Sequence, residues 1–311
     1  AAVPAGARGL VVFTSGTTGA PKPVELTPRM LFASATASAS VLGWRDGDRW
    51  LCPLPVAHVG GLSVITRCVI ARATAVIDDL DGFERHRATL GSIVPAQLPA
   101  LCDRDAPPAV RAVLVGGAAA PERLLARARA RGWPLLRTYG MTEACSQVAT
   151  ERAPGAGLRP LPGIDVRIAS DGRIEVSGPT VAGGRLRTGD LGRWTADGGL
   201  VVLGRADDVI VTGGENVHPA LVEDALRSHP AIADACAFGL PDERWGQIVG
   251  AAIVAPAGVD DADLAEHLGR SLPAFARPRR VALVDALPLT AAGKADRRAA
   301  ARLSTRPFPR G

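Results

Sequence analysis

The chain has 311 residues, 47% hydrophobic and 22% charged, with a formal net charge of +5. That length buries a sizeable core and leaves room for two domains, while no apolar run reaches the roughly 20 residues that span a bilayer. Mild basicity without a Lys/Arg run interleaved with aromatics speaks against nucleic acid and for an anionic small molecule.

From residue 10 to about 150, short β-branched runs alternate with helical stretches. GLVVF (9–13), RWLCPL (49–54), TAVI (74–77), GSIV (91–94), RAVLVG (111–116) and PLLRTY (134–139) read as strands. Between them TPRMLFASATASASVL, GLSVITRCVIA and APERLLARARARG have helical length and spacing. Such alternation predicts an α/β layer with covered sheets. After residue 160, DVRIAS, GRIEVSG and GLVVLG are separated by Asp-Gly and Gly-Gly turns, which predicts a small antiparallel β module. From 205 onward, helices such as PALVEDALRSH and DADLAEHLGRSL alternate with strands such as GQIVGAAIV and RVALVDALP, as in a compact α+β unit. The expected domains are therefore residues 1–204 and 205–311.

The five cysteines (Cys52, Cys68, Cys102, Cys145, Cys236) form no CxxC pair. They predict reduced thiols and a cytoplasmic setting, not a disulfide frame or a zinc site. The first ten residues lack the charged start and apolar core of a secretory signal.

One loop stands out chemically. TSGTTGAPKP follows a strand and carries one of only two lysines, Lys22; the other, Lys294, lies in LTAAGKADR. Glycines let backbone N–H groups converge, hydroxyls add donors, and a lysine adds a compact charge, so the loop suits phosphate oxygens. It is not the GxxxxGK[ST] pattern, because the lysine comes three residues after the second glycine, past a proline.

Four further stretches follow in order: TYGMTEA (138–144), RTGDLGRW (187–194), GRADDVIVTGGENVHPALVE (204–223) and PLTAAGKADRRA (288–299). Together with the loop they resemble the motifs of the adenylate-forming superfamily of acyl-CoA synthetases, peptide-synthetase adenylation domains and luciferases. The resemblance implies a large N-terminal α/β domain, a hinge, and a small mobile α+β C-terminal domain, with ATP between them. It also implies a two-step reaction: a carboxylate attacks the α-phosphate of ATP to give an acyl-adenylate and pyrophosphate, and a thiol, here coenzyme A, then displaces AMP.

On that resemblance Thr14, Ser15, Gly16, Thr17, Thr18 and Gly19 hold the β- and γ-phosphates, with Lys22 nearby. Tyr139 lies in the adenine motif, Thr142 donates to the α-phosphate, and Glu143 ligates Mg²⁺, a hard cation that prefers oxygen. Asp190 accepts the ribose hydroxyls, Arg205 supports them, Asp207 is the hinge, and Gly213 and Gly214 line the thiol tunnel. Lys294 neutralises the α-phosphate and the attacking carboxylate.

PVAHVGGLSVITRCVIA (55–71) and YGMTEACSQVAT (139–150) resemble the branch of that superfamily that activates o-succinylbenzoate, an aromatic keto-diacid. One carboxylate of such an acid reacts and the other needs a cation or donors. His58, Ser63, Arg67, Gly116, Gly117, Thr138 and Gln147 are the expected pocket residues, with His58 alternatively gating the acyl tunnel or capping a helix. Arg67 sits inside an apolar helix, where it pairs with a protein acid, bends to solvent or meets substrate. Another aryl- or fatty-acid CoA ligase and an inactive nucleotide-binding remnant are the alternatives; a homo-oligomer is compatible with either. Two departures stand out: Pro23 occupies the usual glycine position after the loop lysine, and far fewer residues precede the loop than in the superfamily at large. The second implies either a minimal enzyme or a sequence that starts late.

Overall fold

The computed structural model describes residues 9–15, 21–290 and 295–309. Contacts divide the chain into one unit of Ala1–Ala120, Leu124–Thr188 and Gly192–Val202, and a second of Pro121–Arg123, Gly189–Leu191 and Leu203–Gly311.

In the first unit, five strands pair in parallel in the order Thr74–Val76, Arg49–Leu51, Leu90–Ile93, Ala112–Val115 and Leu135–Met141. Their residues alternate between two apolar layers. Leu51, Val113, Val115 and Leu135 pack with Leu98, Leu125 and Trp133 on one face, whereas Trp50, Ala112, Leu114 and Leu136 pack with Val64 and Cys68 on the other. Burial on both faces explains why these strands read as continuous apolar runs. Each fully buried Leu, Ile or Val contributes about 1.5–3 kcal/mol. The helix Val59–Ala71 supplies Val64 and Cys68 to the second layer.

Leu135–Met141 changes partner along its length. Residues 135–137 pair in parallel with Ala112–Val115, and residues 138–141 pair antiparallel with Ser146–Glu151, with a register shift at Tyr139/Gly140. The sheet then continues through Leu158–Pro160, Leu200–Arg205, Arg185–Trp194, Arg173–Ser177 and Asp165–Ile168. The expected antiparallel module is therefore the far half of one eleven-stranded sheet. RLRTGDLGRW, which the sequence marked as a motif and not as a strand, is a ten-residue strand in it. Leu10–Ser15 and Pro21–Leu26 form a separate antiparallel hairpin. Its second strand went unseen because Pro21 and Pro23 read as loop; both lie in register opposite Ser15 and Phe13, and a strand with a free edge tolerates proline there.

In the second unit, Asp234–Asp242 pairs along its whole length with Gly246–Val254, which also pairs in parallel with Arg280–Leu283. The helices Pro219–Arg227 and Asp261–Ser271 cover this sheet with Val222, Leu226, Leu264 and Leu268. Asp260 caps the second helix by accepting from the backbone N–H groups of Ala262 and Asp263.

Candidate active site

Thr14 and Lys22, two of the residues expected to meet phosphate, lie on the two strands of the hairpin. Thr14 and Lys22 are directly opposed in the ladder, and the Thr14 hydroxyl donates to the Lys22 carbonyl at 3.4 Å. Directly opposed residues in an antiparallel pair share a face, so the hairpin sets the lysine beside the first threonine of the loop. Gly16, Thr17, Thr18 and Gly19 lie outside the described residues, as does the side chain of Ser15.

TYGMTEACSQ lies where the sheet turns from parallel to antiparallel. The strand ends at Met141, Thr142–Ala144 form one 3₁₀ turn, and the Cys145 N–H closes it onto the Thr142 carbonyl at 3.0 Å. Cys145 and Ser146 follow with φ of 55° and 89°. Two consecutive non-glycine residues at positive φ are strained, by about 1–3 kcal/mol each, and persist only where the surroundings hold them. Gly140 makes the pinch possible: a Cβ there would sit 1.7 Å from the Ser146 carbonyl oxygen. Thr142 and Glu143 are thereby held half-buried on a short, constrained turn.

Two helices hold that turn, each through polar side chains four apart on one face. From Pro28–Leu42, the Ser34 hydroxyl donates to the Cys145 carbonyl at 2.6 Å, and the Ser38 hydroxyl donates to Gln147 Oε1 at 2.7 Å. From Val59–Ala71, Arg67 donates to the Ser146 hydroxyl at 3.4 Å, and Ser146 donates to the Ser63 hydroxyl at 3.2 Å. Gln147 Nε2 also donates to Thr150, and Thr150 donates on to the Thr138 hydroxyl. Gln147 is thus buried with both ends of its amide engaged, and Thr138 is tied to the Ala149 carbonyl. Ser34, Ser38 and Ser146 were not singled out in the sequence. The signal available was a pair of serines four apart in an Ala-rich helix.

Arg67 is 2% exposed, and no carboxylate among the described residues lies within ion-pair distance of it. Its Nε has no hydrogen-bond partner, and its guanidinium carbon lies 5.2 Å from the Trp50 ring centre. Burial draws its pKa down to about 10, which leaves it charged at neutral pH. Of the three fates the sequence allowed, pairing with a protein acid and bending to solvent are both absent among the described residues. His58 precedes the helix Val59–Ala71 with no side-chain capping bond and is exposed, so it is neither a cap nor a core histidine. Gly61 lets this helix start tightly against the preceding loop, because a Cβ there would meet the Pro55 carbonyl at 2.5 Å. Gly116 and Gly117 follow Ala112–Val115; a Cβ on Gly116 would strike the Thr138 methyl at 2.7 Å, and Gly117 has φ of 88°. Tyr139 packs half-buried against the core of the antiparallel half.

In the second unit Arg205 Nη1 lies 3.2 Å from Asp190 Oδ1. Gly189 leaves room for this, since a Cβ there would meet the Arg205 guanidinium at 2.4 Å. Asp207 is exposed within the single turn Ala206–Asp208. Gly213 and Gly214, with φ of 60° and 87°, form the two-residue turn between Ile210–Thr212 and Glu215–Val217. Both positive angles mark a type I′ hairpin, which strongly favours glycine. Lys294 lies outside the described residues; among its described neighbours, Leu289 and Ala295 form an isolated bridge and the Asp296 N–H donates to the Pro288 carbonyl.

Among the described residues, no group of three or more His, Cys, Asp or Glu is placed to hold a metal ion. Mg²⁺ does not need such a cage, because it is commonly held by one or two carboxylates, waters and substrate phosphates. Glu143, half-buried and without a hydrogen-bond or ion-pair partner among the described residues, fits that role.

The mixed sheet and the small α+β unit are those of an AMP-forming, carboxylate-activating ligase. The chain belongs to the AMP-binding enzyme family, whose main domain matches residues 8–189 and whose C-terminal domain matches residues 221–294. It is 36% identical over 328 residues to the 2-succinylbenzoate–CoA ligase of Bacillus subtilis, covering 93% of this chain and 67% of that one. The corresponding enzyme of Bacillus licheniformis is also 36% identical, over 91% of this chain and 68% of its own. Among solved structures, the o-succinylbenzoate CoA synthetase of Bacillus subtilis with its acyl-adenylate OSB-AMP superposes with a TM-score of 0.87 at 34% identity, covering 96% of this chain and 69% of the other. The same enzyme with ATP and magnesium superposes with a TM-score of 0.84 at 35% identity, over 93% and 68% of the two chains.

Proposed function

We propose that this protein is a 2-succinylbenzoate–CoA ligase: it couples ATP cleavage to formation of an acyl-adenylate and then of the CoA thioester. The observation that carries the choice of acid is Arg67, a buried cation with no carboxylate among the described residues to neutralise it, joined to the Ser146 hydroxyl and through it to Ser63. An unpaired buried charge is costly unless a ligand completes it. A diacid does so: one carboxylate reacts while the other meets Ser63 and Ser146, with Arg67 behind them.

In the first step a carboxylate oxygen attacks the α-phosphorus and pyrophosphate leaves. The demands are positioning and neutralisation of charge on the phosphate oxygens. Thr14, Ser15, Gly16, Thr17, Thr18, Gly19 and Lys22 take the β- and γ-phosphates, Thr142 donates to the α-phosphate, and Lys294 neutralises both reacting anions. Glu143 would ligate Mg²⁺, which when bound supplies positive charge beside the phosphates. Asp190, held by Arg205, takes the ribose hydroxyls, and Tyr139 faces the adenine. In the second step the CoA sulfur attacks the acyl carbon and AMP leaves. The Gly213–Gly214 turn offers backbone without Cβ for the thiol arm, and Asp207 is the hinge about which residues 205–311 reorient. Gly116, Gly117 and Thr138 shape the acyl pocket, Gln147 stands behind its wall, and His58 stands at its mouth. Five buried free thiols suit a cytoplasmic setting.

The test is incubation with ATP, Mg²⁺, CoA and a panel of acids, with thioesters read by mass. A CoA ester from o-succinylbenzoate is expected; esters from benzoate or an alkanoate but none from the diacid would overturn the reading.

A further inference from the structure

Arg67 raises a question that the reading above leaves open: what keeps a guanidinium charged and correctly aimed in the core before any substrate arrives. Its neighbours include three cysteines, Cys52, Cys68 and Cys145. These do not serve as counter-ions, because burial keeps the thiols protonated, pushing Cys68 and Cys145 up to about 11 and Cys52 upward as well. The one hydroxyl it reaches, Ser146, is a neutral partner at 3.4 Å. The remaining group is the face of Trp50, 5.2 Å from the guanidinium carbon.

Trp50 is itself fixed. It is 1% exposed, its Nε1–H donates to the Ser92 hydroxyl at 3.0 Å, and Trp44 packs against it at 5.5 Å between ring centres with the planes 57° apart. Ser92 lies in the neighbouring parallel strand Leu90–Ile93, so the indole is tied to the sheet on one side and lies under Arg67 on the other. An indole is the strongest aromatic partner for a cation, and desolvation strengthens the pair. Unlike a carboxylate, an indole face offers no acceptor oxygens, so it steadies the guanidinium without using up its donors.

We propose that Trp50 is a positioning residue that takes the place of a counter-carboxylate under Arg67, and so sets the preference of this site for a diacid over a monoacid. An Asp or Glu in the same place would satisfy Arg67 permanently and remove the drive to bind a second substrate carboxylate. The inference rests on the assignment of Arg67 to that carboxylate.

The experiment compares o-succinylbenzoate with its two monoacid analogues, 4-oxo-4-phenylbutanoate and 2-propanoylbenzoate, each lacking one carboxylate. Affinities are taken as KM where an acid is turned over and as inhibition constants where it is not. In Trp50→Leu the diacid and the monoacid that keeps the Arg67-facing carboxylate are expected to weaken about tenfold, the other monoacid to stay within about twofold, and kcat for the diacid to hold, since about 1.4 kcal/mol is a factor of ten. Trp50→Phe, which keeps a weaker face, is expected to fall between, and Ser92→Ala, which frees the indole without removing it, to shift the diacid in the same direction. These two variants carry the test if Trp50→Leu does not fold. Equal weakening of all three acids, or no weakening of the diacid, overturns the proposal. Arg67→Met separates the two layers. If it leaves the diacid preference intact, the assignment of Arg67 fails. If it abolishes the preference while the Trp50 and Ser92 variants keep it, only the role of Trp50 fails.

Discussion

The Ser34 hydroxyl donates to the Cys145 carbonyl at 2.6 Å, tying the middle of one helix to a turn 111 positions later in the chain. That turn carries Thr142 and Glu143 and runs through two non-glycine residues at positive φ. A buried carbonyl that loses its donor costs about 1–3 kcal/mol, and here the loss also frees a strained backbone to relax. Ser34→Ala is therefore expected to lower the thermal midpoint and to slow acid-dependent ATP–pyrophosphate exchange. A misplacement of about 1 Å near the reacting atoms costs up to about a hundredfold, so kcat is expected to fall more than KM rises. Unchanged exchange in the folded variant would show that the turn holds itself.

Gly189 and Arg205 give a second prediction, about nucleotide affinity. A Cβ on Gly189 would meet the flexible end of Arg205, not backbone, so Gly189→Ala costs little stability. The guanidinium must then leave its place beside Asp190. With the ribose assigned to this pair, the KM for ATP is expected to rise by about threefold to tenfold with kcat nearly kept, the pattern of lost uniform binding. An ATP titration of the exchange rate reads this directly. A fall in kcat at constant KM would place the pair elsewhere in the reaction.

The parallel strands were legible in the sequence because both faces are buried, and runs such as AVLV and LGSI carry that fact in themselves. Arg67 was legible as a charge amid apolar helix neighbours, although only the structure shows that it lacks an acid among the described residues. Two other features were not. RLRTGDLGRW has a turn-like centre, and its strand state comes from neighbours in the antiparallel half of the sheet, at a distance no local window contains. Ser34 and Ser38 look like small helix fillers, and their partners lie 111 and 109 residues away. The hairpin of Leu10–Ser15 and Pro21–Leu26 was hidden by Pro21 and Pro23, which read as loop.

Asp48 predicts how stability depends on pH. Burial alone would raise its pKa, but the Arg111 guanidinium, the Thr89 hydroxyl and the Arg45 N–H together hold the carboxyl below its ordinary value. A depressed folded pKa means the unfolded chain binds the proton first as pH falls. The stabilisation is therefore full above the unfolded value of about 4 and drains away as pH drops through the folded one. Wild type and Asp48→Asn are expected to differ in urea midpoint at pH 7, and the gap to narrow as pH falls below about 4. A gap independent of pH would mean that the carboxylate charge contributes nothing.

Glu151 makes the sharpest stability prediction. It is fully buried, takes Arg137 Nε at 2.6 Å and Arg129 Nη2 at 3.0 Å, and accepts from the Arg137 backbone N–H at 2.8 Å. These contacts fall where Leu135–Met141 passes from parallel to antiparallel pairing, the step that aims TYGMTEA. A buried ion pair is weak evidence of net stability, because desolvating its charges offsets their attraction. Removing one partner is nonetheless costly, about 3–5 kcal/mol, since it strands the others. Glu151→Ala leaves two guanidinium groups beside an empty site and is expected to lose stability on that scale in urea. Glu151→Gln keeps the shape and one acceptor but abolishes the charge, and is expected to lose less. If both variants lose the same small amount, the arginines find solvent without strain and the triad does not hold the crossover. If Glu151→Gln is stable but slow in pyrophosphate exchange, with KM unchanged, the carboxylate orients the strand beyond merely closing the core.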